Sequence, residues 1–204
     1  MEWYYIIAFI SISYCLLNCI YHFVRIIRLG TPEDFSQSIG NVGSAVAYSF
    51  TGAMNPKKKE SAYLHIPTYT AGMIYHIGTF ISIALFFCFL FKAEFGDTVN
   101  LILSCLLVVS TASGLGIFIK RIFKKELLSI SNPDDFISNL LVTVFQAITV
   151  VYINFNTPVV YFILSSLLFL YLPLGKLKHT IYFFAARYQL GFFYGKRDVW
   201  PPKE

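Results

Sequence analysis

The sequence predicts an all-α membrane protein, a five-transmembrane-helix bundle with its N-terminus outside and its C-terminus in the cytoplasm. Composition indicates the class, because 56% of the 204 residues are hydrophobic and 13% are charged, against about 25% charged in soluble domains. Apolar segments indicate the number of helices, since a helix needs about 20 apolar residues to cross a bilayer. The positions of the basic residues indicate the orientation.

The predicted spans are bounded by charged residues or by short turns. They are residues 3–24, 69–92, 98–119, 135–153 and 157–175. The first ends before Arg25, the third before Lys120 and the fifth before Lys176, and the turn Asn154–Thr157 separates the last two. Together they use most of the chain, so we expect a single membrane domain over residues 1–204, with a loop over 25–68 and a tail over 176–204.

The basic residues are gathered on one predicted side of the membrane. All lysines and arginines except Lys92 lie in the loop 25–68, in the loop after the third span or in the tail. The positive-inside rule places these segments in the cytoplasm, in a multi-pass protein of the cell inner membrane. The net charge of +5 then reflects orientation and attraction to anionic membrane lipid, so no nucleic-acid partner is expected.

Two histidines are the most informative polar residues, because ionisable groups in apolar segments are costly and usually functional. His76 lies about two turns into the second span and His179 closes the fifth, both near the predicted cytoplasmic face. Two imidazoles at one depth on separate helices can provide both axial ligands of a haem. The alternative is an interfacial role, reaching the headgroups or hydrogen-bonding across helices, which is our interpretation of His22 and His65.

Several short segments resemble the respiratory nitrate reductase gamma subunit-like family of membrane cytochromes b, whose relatives accompany heterodisulfide reductases and sulfite-reduction complexes. The similar segments are Ile74–Phe80, Ser113–Gly114, Lys120–Phe123, Leu172–His179 and Arg187–Leu190. The resemblance implies a five-helix bundle that passes electrons between quinol and a cytoplasmic iron–sulfur subunit. It also implies that His76 and His179 are the axial iron ligands of the haem nearer the cytoplasm.

The resemblance further implies one haem b, because the second pair of family ligands is missing. At those places this chain has Phe86, ten residues after His76, and Tyr161, eighteen residues before His179. Eighteen residues correspond to about 27 Å along one face of a continuous helix, which is the expected position of an outer ligand. We interpret the phenol of Tyr161 as a packing residue or an interface aromatic instead.

Three further residues are candidates for contact with the haem. Arg121 resembles a family arginine beside the propionates of the inner haem. Arg25 has a comparable place after the first span, and Gly114 lies where a small residue admits a macrocycle or a neighbouring helix. Membrane anchoring explains Arg25 equally well, and plain helix packing explains Gly114 equally well.

The expected function is that of a non-catalytic electron-transfer subunit of a membrane oxidoreductase complex. It would connect menaquinone or ubiquinone with a cytoplasmic iron–sulfur partner of the heterodisulfide-reductase type, and quinone would react on the cytoplasmic side. The loop 25–68, with Lys57–Lys59, and the tail are expected to dock that partner, with contact to anionic lipid as the alternative. A haemless membrane anchor or small transporter, with interfacial histidines, is the alternative function.

Overall fold

The structure, a computed structural model, describes residues 2–29, 35–55 and 64–202 of the chain. Every regular element in this part of the chain is helical. The α-helices are α1 Trp3–Leu29, α2 Val42–Phe50, α3 Ile66–Leu90, α4 Asp97–Phe123, α5 Lys125–Ser129, α6 Pro133–Phe155, α7 Pro158–Tyr171 and α8 His179–Lys196. Two short 3₁₀ helices cover Gly52–Met54 and Lys176–Lys178.

The prediction of an all-α protein with several apolar helices of membrane-spanning length is confirmed. Within the described residues, α1, α3, α4 and α6 are each long and apolar enough to cross a bilayer. A fifth span exists only if α7 and the helical residues 176–196 count together as one interrupted segment. By itself α7 has 14 residues, which at about 1.5 Å per residue is shorter than the hydrocarbon core.

The expectation of one continuous helix over 157–175 is wrong. Helix α7 ends at Tyr171, because Pro173 has no N–H to donate and its ring would clash with a carbonyl one turn earlier. The amides of Leu174 and Gly175 both donate to the Tyr171 carbonyl, at 3.0 and 2.9 Å, and so close a turn. Tyr161 and His179 therefore lie on different helices, and their separation in sequence does not measure a rise along one helix face.

The segments predicted as a loop and a tail also contain helices. Within 25–68, α1 continues to Leu29, and α2 begins after Asn41, whose side chain accepts from the amide of Ser44 at 3.0 Å. This is a standard N-cap, which satisfies one amide at the start of a helix. The tail contains α8. Lys57–Lys59, which we expect to contact a partner, lie outside the described residues.

The chain divides into two compact units. Unit 1 comprises Met1–Leu16 and Pro67–Leu177, and unit 2 comprises Leu17–Ile66 and Lys178–Glu204. Unit 1 contains α3 to α7 apart from the first residue of α3, together with the start of α1, and unit 2 contains α2, α8 and the rest of α1.

Unit 2 is organised around the contact between α2 and α8, which approach closely because small residues face each other. A Cβ on Gly191 would lie 2.5 Å from the Cα of Val46, and a Cβ on Gly195 would lie 2.6 Å from the Cβ of Ala45. The Ser49 hydroxyl donates to the carbonyl of Arg187 at 2.8 Å. Small residues four apart allow two helix backbones to approach in this way.

A larger residue at position 191 should separate the two helices. We expect Gly191→Val to force the side chain into the α2 backbone, at a cost of about 1–3 kcal/mol. Amide exchange of residues 42–50, measured by hydrogen–deuterium exchange mass spectrometry, should accelerate by about tenfold or more.

The matched control for this change is Gly43→Val. A Cβ at Gly43 would approach only Asn41 Oδ1, at 3.4 Å, within 4 Å, so exchange in α2 should stay within about threefold of the original protein, since Val differs little from Gly in a helix. Equal acceleration in the two variants would contradict the close approach at Gly191.

Candidate functional site

His76 lies on an exposed apolar face of α3. Its neighbours on that face are Met73, Ile77 and Phe80, which are 44%, 54% and 55% exposed, and the imidazole is itself exposed. These positions are three or four residues apart, so they form one stripe of the helix. An imidazole at this position faces the apolar surroundings of α3, as a ligand to a flat cofactor would.

The opposite face of α3 is held by buried hydrogen bonds that fix the direction of His76. The Gln146 side chain, 0% exposed, donates from Nε2 to the carbonyl of Tyr75 at 3.0 Å and to Thr79 Oγ1 at 2.8 Å. Ser110 Oγ donates to the carbonyl of Ile74 at 3.1 Å. Because these bonds join α3 to α4 and α6, rotating α3 to bury His76 would break them.

Tyr75 extends this network towards the start of α6. Its hydroxyl donates to the carbonyl of Asn139 at 3.0 Å and lies 2.9 Å from Thr143 Oγ1. Gly114 makes room for the Tyr75 ring, since a Cβ there would lie 2.8 Å from Tyr75 Cδ2 and from Thr143 Oγ1. Gly114 therefore allows α4 to pack closely against α3 and α6.

His179 is the first residue of α8, in unit 2. It is exposed and begins a stripe of exposed side chains that includes Tyr182 and Phe183, three and four residues further on. Like His76, it stands among apolar side chains on an open helix face. The two candidate ligands thus have the same kind of local surroundings, His76 within unit 1 and His179 within unit 2.

Phe86 and Tyr161, where the resemblance implies a second pair of ligands in the family, belong to an aromatic cluster in unit 1. Phe86 and Tyr161 are both 0% exposed, and their ring centroids are 6.3 Å apart. Phe169 lies 4.6 Å from Phe86, and Tyr152 stacks on Tyr161 at 4.6 Å. The other members of the cluster are Phe89, Phe145 and Phe162.

The hydroxyl of Tyr161 is a buried polar atom in this cluster, and within the described part of the chain it has no hydrogen-bond partner. Thr149 and Ser165 lie beside it. Their hydroxyls donate instead to the carbonyls of Phe145 and Tyr161, each at 2.7 Å. The phenol of Tyr161 is therefore held by ring packing and not by its polar end.

Arg121 has protein partners at the end of α4. Its Nη1 atom lies 3.2 Å from Asp135 Oδ1 and donates to Ser131 Oγ at 3.1 Å. Asp135, whose side chain is 4% exposed, also pairs with Lys176 and forms a capping box with Asn132 at the start of α6. A buried carboxylate needs such partners, because an unpaired charge is expensive away from water. The guanidinium thus joins α4 to α6.

The remaining polar candidates lie on open surface. Arg25 is exposed near the end of α1, His22 is half-buried three residues earlier, and His65 is exposed immediately before α3. All three belong to unit 2.

A cavity of about 490 Å³ opens in unit 1 where α3 and α6 end and α4 begins. Its lining combines aromatic and polar side chains, chiefly Tyr5, Phe89, Lys92, Glu94, Asn100 and Tyr152. Phe89 is thirteen residues after His76, so the cavity lies about 20 Å along α3 from the candidate ligand. It is not at the place where we expect quinone to react.

Comparison with known proteins gives no relative, since no protein-family model, no curated protein and no solved structure matches the chain. The assignment of site residues therefore depends on their chemistry and on the sequence resemblance.

Sequence reasoning missed the residues that position the site. Gln146 is an amide inside an apolar span, and polar residues within a span commonly bind neighbouring helices, so its position was a usable signal. Asp135 pairs with Arg121, and no spacing in the sequence indicates that contact. Tyr75, adjacent to His76, belongs to the segment Ile74–Phe80 that resembles the family, and its hydroxyl bonds to α6.

Removing the hydroxyl of Tyr75 and of Tyr161 should have different effects. We expect Tyr75→Phe to lower the free energy of unfolding by about 1 kcal/mol, because it removes interhelical hydrogen bonds. Tyr161→Phe should be neutral or stabilising, since it deletes a buried hydroxyl without a partner. Unfolding in mixed detergent–SDS micelles measures both.

Each variant serves as the control for the other, because the same atom is removed from the same residue type in the same unit. A loss at Tyr161 equal to or larger than the loss at Tyr75 would show that the Tyr161 hydroxyl has a partner, contrary to the description above.

Proposed function

We propose that the chain is a membrane cytochrome b subunit of the nitrate reductase gamma-like type, with one haem b held by His76 and His179. It is a five-span anchor of the inner membrane with its C-terminus in the cytoplasm. It passes electrons between a menaquinone or ubiquinone pool and a cytoplasmic iron–sulfur partner of the heterodisulfide-reductase type. The chain has no catalytic residue of its own in this proposal.

The observation that carries the proposal is the contrast between the two pairs of positions. His76 and His179 stand on exposed, apolar helix faces, which suits residues that bind a flat, largely apolar macrocycle. Phe86 and Tyr161 are fully buried in an aromatic cluster, which supports one haem and not two. A structural role alone would not require either imidazole to be exposed among apolar side chains.

The residues fit a six-coordinate haem in their donor chemistry. His76 and His179 would hold the haem through two neutral imidazoles, and the group would supply electron transfer when bound. The protein's own contribution is positioning: Gln146, Tyr75 and Ser110 hold the face of α3 opposite His76. Arg25, which is exposed, and Arg121, whose Nη1 atom pairs with Asp135, remain candidate propionate contacts.

The partner and the quinone follow from the same proposal. The haem would lie near the cytoplasmic face, so an iron–sulfur protein bound to the basic loop and tail would bring its cluster close to it. Quinone would then react on that side of the membrane, and its protons would be exchanged there. The basic residues of these segments favour an acidic partner surface.

Loss of either ligand should remove the haem. Purified His76→Ala and His179→Ala proteins should lack the low-spin b-type signal in a reduced-minus-oxidised visible spectrum, because one imidazole cannot hold a six-coordinate iron. His22→Ala and His65→Ala are the matched controls and should retain it. The haem content of the original protein should be one per chain.

Full haem occupancy in the His76→Ala protein would reject the ligand assignment, and two haems per chain would reject the role given to Phe86 and Tyr161. A haem-free original protein, purified from cells with ample haem, would favour the alternative of a haemless anchor or small transporter.

The partner should be recovered with the protein. Gentle purification at low salt should co-purify a soluble protein rich in cysteine, and reversing the charges of Lys57–Lys59 should weaken this association by about tenfold. Salt should weaken it as well, because exposed charges are screened. Reversal of the acidic residues Glu94, in the loop between α3 and α4, and Asp97, the first residue of α4, is the control and should have no effect.

Purification of the chain alone under those conditions, with its haem retained, would argue against an anchor for a cytoplasmic enzyme while leaving the haem assignment intact. The two parts of the proposal can therefore fail separately.

A further inference from the structure

Helix α2 covers one side of α8, where Gly191 and Gly195 are buried against it. The other face carries an aromatic stripe, which we define as Tyr182, Phe183, Ala186, Leu190 and Phe193. Within it, Tyr182 is 43% exposed and Phe193 is 49% exposed. Spacings of three and four residues place these side chains along one side of the helix.

Basic side chains run along the edges of the aromatic stripe. The Arg197 guanidinium lies 3.7 Å from the centroid of the Phe193 ring, and that of Arg187 lies 5.6 Å from the Phe183 ring. Lys196 is beside Arg197, and Asp198 is the only acidic residue between 178 and 202. The cations thus stand next to the apolar surface and not on the opposite side of the helix.

This combination matches one kind of surface better than others. A helix with exposed aromatic side chains on one face and arginine or lysine beside them is typical of the headgroup region of a membrane. Long basic side chains lie along apolar surface there and place their charge among phosphates. A water-filled surface would not favour the stripe, and the hydrocarbon core would not favour the cations.

The length and composition of α8 also favour this depth. Among the described helices, α8 does not meet the criteria for a span by itself. An anionic leaflet supplies both an apolar boundary and the negative charge that Arg187, Lys196 and Arg197 complement. A leaflet is within reach of the helix, because Gln189 Nε2 donates to the carbonyl of Ile27 at 3.1 Å, and α1, to which Ile27 belongs, has the length and composition to cross a bilayer.

We propose that α8 rests in the headgroup region of an anionic membrane leaflet, with the aromatic stripe below the headgroups and its basic edge residues at the lipid phosphates. This placement goes beyond the proposed electron transfer and does not depend on a haem. It assigns the cations of α8 to lipid and leaves partner docking to the loop 25–68 and the rest of the tail. In the proposed five-span anchor, α8 then ends the interrupted fifth segment at the membrane surface. It gives α8 a defined lipid contact on the face that α2 does not cover.

Tryptophan fluorescence in lipid vesicles measures the depth of the stripe. Trp3 and Trp200 are the two tryptophans of the chain, so Trp3→Phe with Trp200→Phe gives a silent background. On this background Phe193→Trp should be quenched about twofold more by phospholipid brominated near the headgroup than by phospholipid brominated at the chain centre. The depth control is Val109→Trp, in the middle of α4 and 55% exposed, which should show the reverse order.

A second arm tests the charge. Arg187→Gln, Lys196→Gln and Arg197→Gln together, added to Phe193→Trp, should reduce shallow quenching by about twofold in vesicles containing phosphatidylglycerol. In vesicles of phosphatidylcholine alone the three changes should have little effect. Leu190→Trp, on the same stripe, repeats both arms should the Phe193 variant fold poorly.

Three outcomes would overturn the proposal. Strongest quenching from the chain centre would place the aromatic stripe in the hydrocarbon core. Absence of quenching would show that protein or water covers the stripe, and quenching that changes with the protein-to-lipid ratio would identify a second copy as the cover. Shallow quenching that changes neither with the lipid charge nor with the three substitutions would reject the anionic contact.

Discussion

Buried polar groups must find partners without water inside a bilayer. In unit 1 the side-chain nitrogen of Gln146 does so, whereas its Oε1 atom has no partner among the described residues. Its amide reaches the carbonyl of Tyr75 and the hydroxyl of Thr79, so α6 determines which face of α3 turns inward. The direction of the side chains on the outer face of α3, including His76, follows from this orientation of the helix. The proposed site thus depends on hydrogen bonds that do not touch it.

Two different kinds of contact hold the helices of unit 1 together. Around Tyr75 the helices are joined by amides, hydroxyls and a glycine that admits an aromatic ring. Around Tyr161 they are joined by stacked rings with little polar contact. Hydrogen bonds fix the rotation of a helix, whereas ring packing fills volume. The hydrogen bonds lie in the half of unit 1 that contains His76, where the proposed function needs a defined side-chain direction.

Much of the fold could be predicted from apolar segments and charges, because α1, α3, α4 and α6 are long and apolar enough to be recognised in the sequence. Helix α2 could not, since its nine residues are stabilised by Gly191 and Gly195, far along the chain. The break after Tyr171 had a signal in Pro173 and Gly175 that the apolar run obscured. His76 and His179 could be chosen from their residue type and position, but the direction of a side chain depends on contacts such as that of Gln146.

The pairing of α2 with α8 has a consequence for how the protein is made. Ser49 and Arg187 are separated by 138 positions, and three long apolar helices and the shorter α7 emerge from the ribosome between the two. At translation rates of about 5–20 residues per second, α2 waits on the order of ten seconds for its partner. During that time its small-residue face lacks the helix that covers it in the final structure, so unit 2 is the last part of the chain to reach that structure.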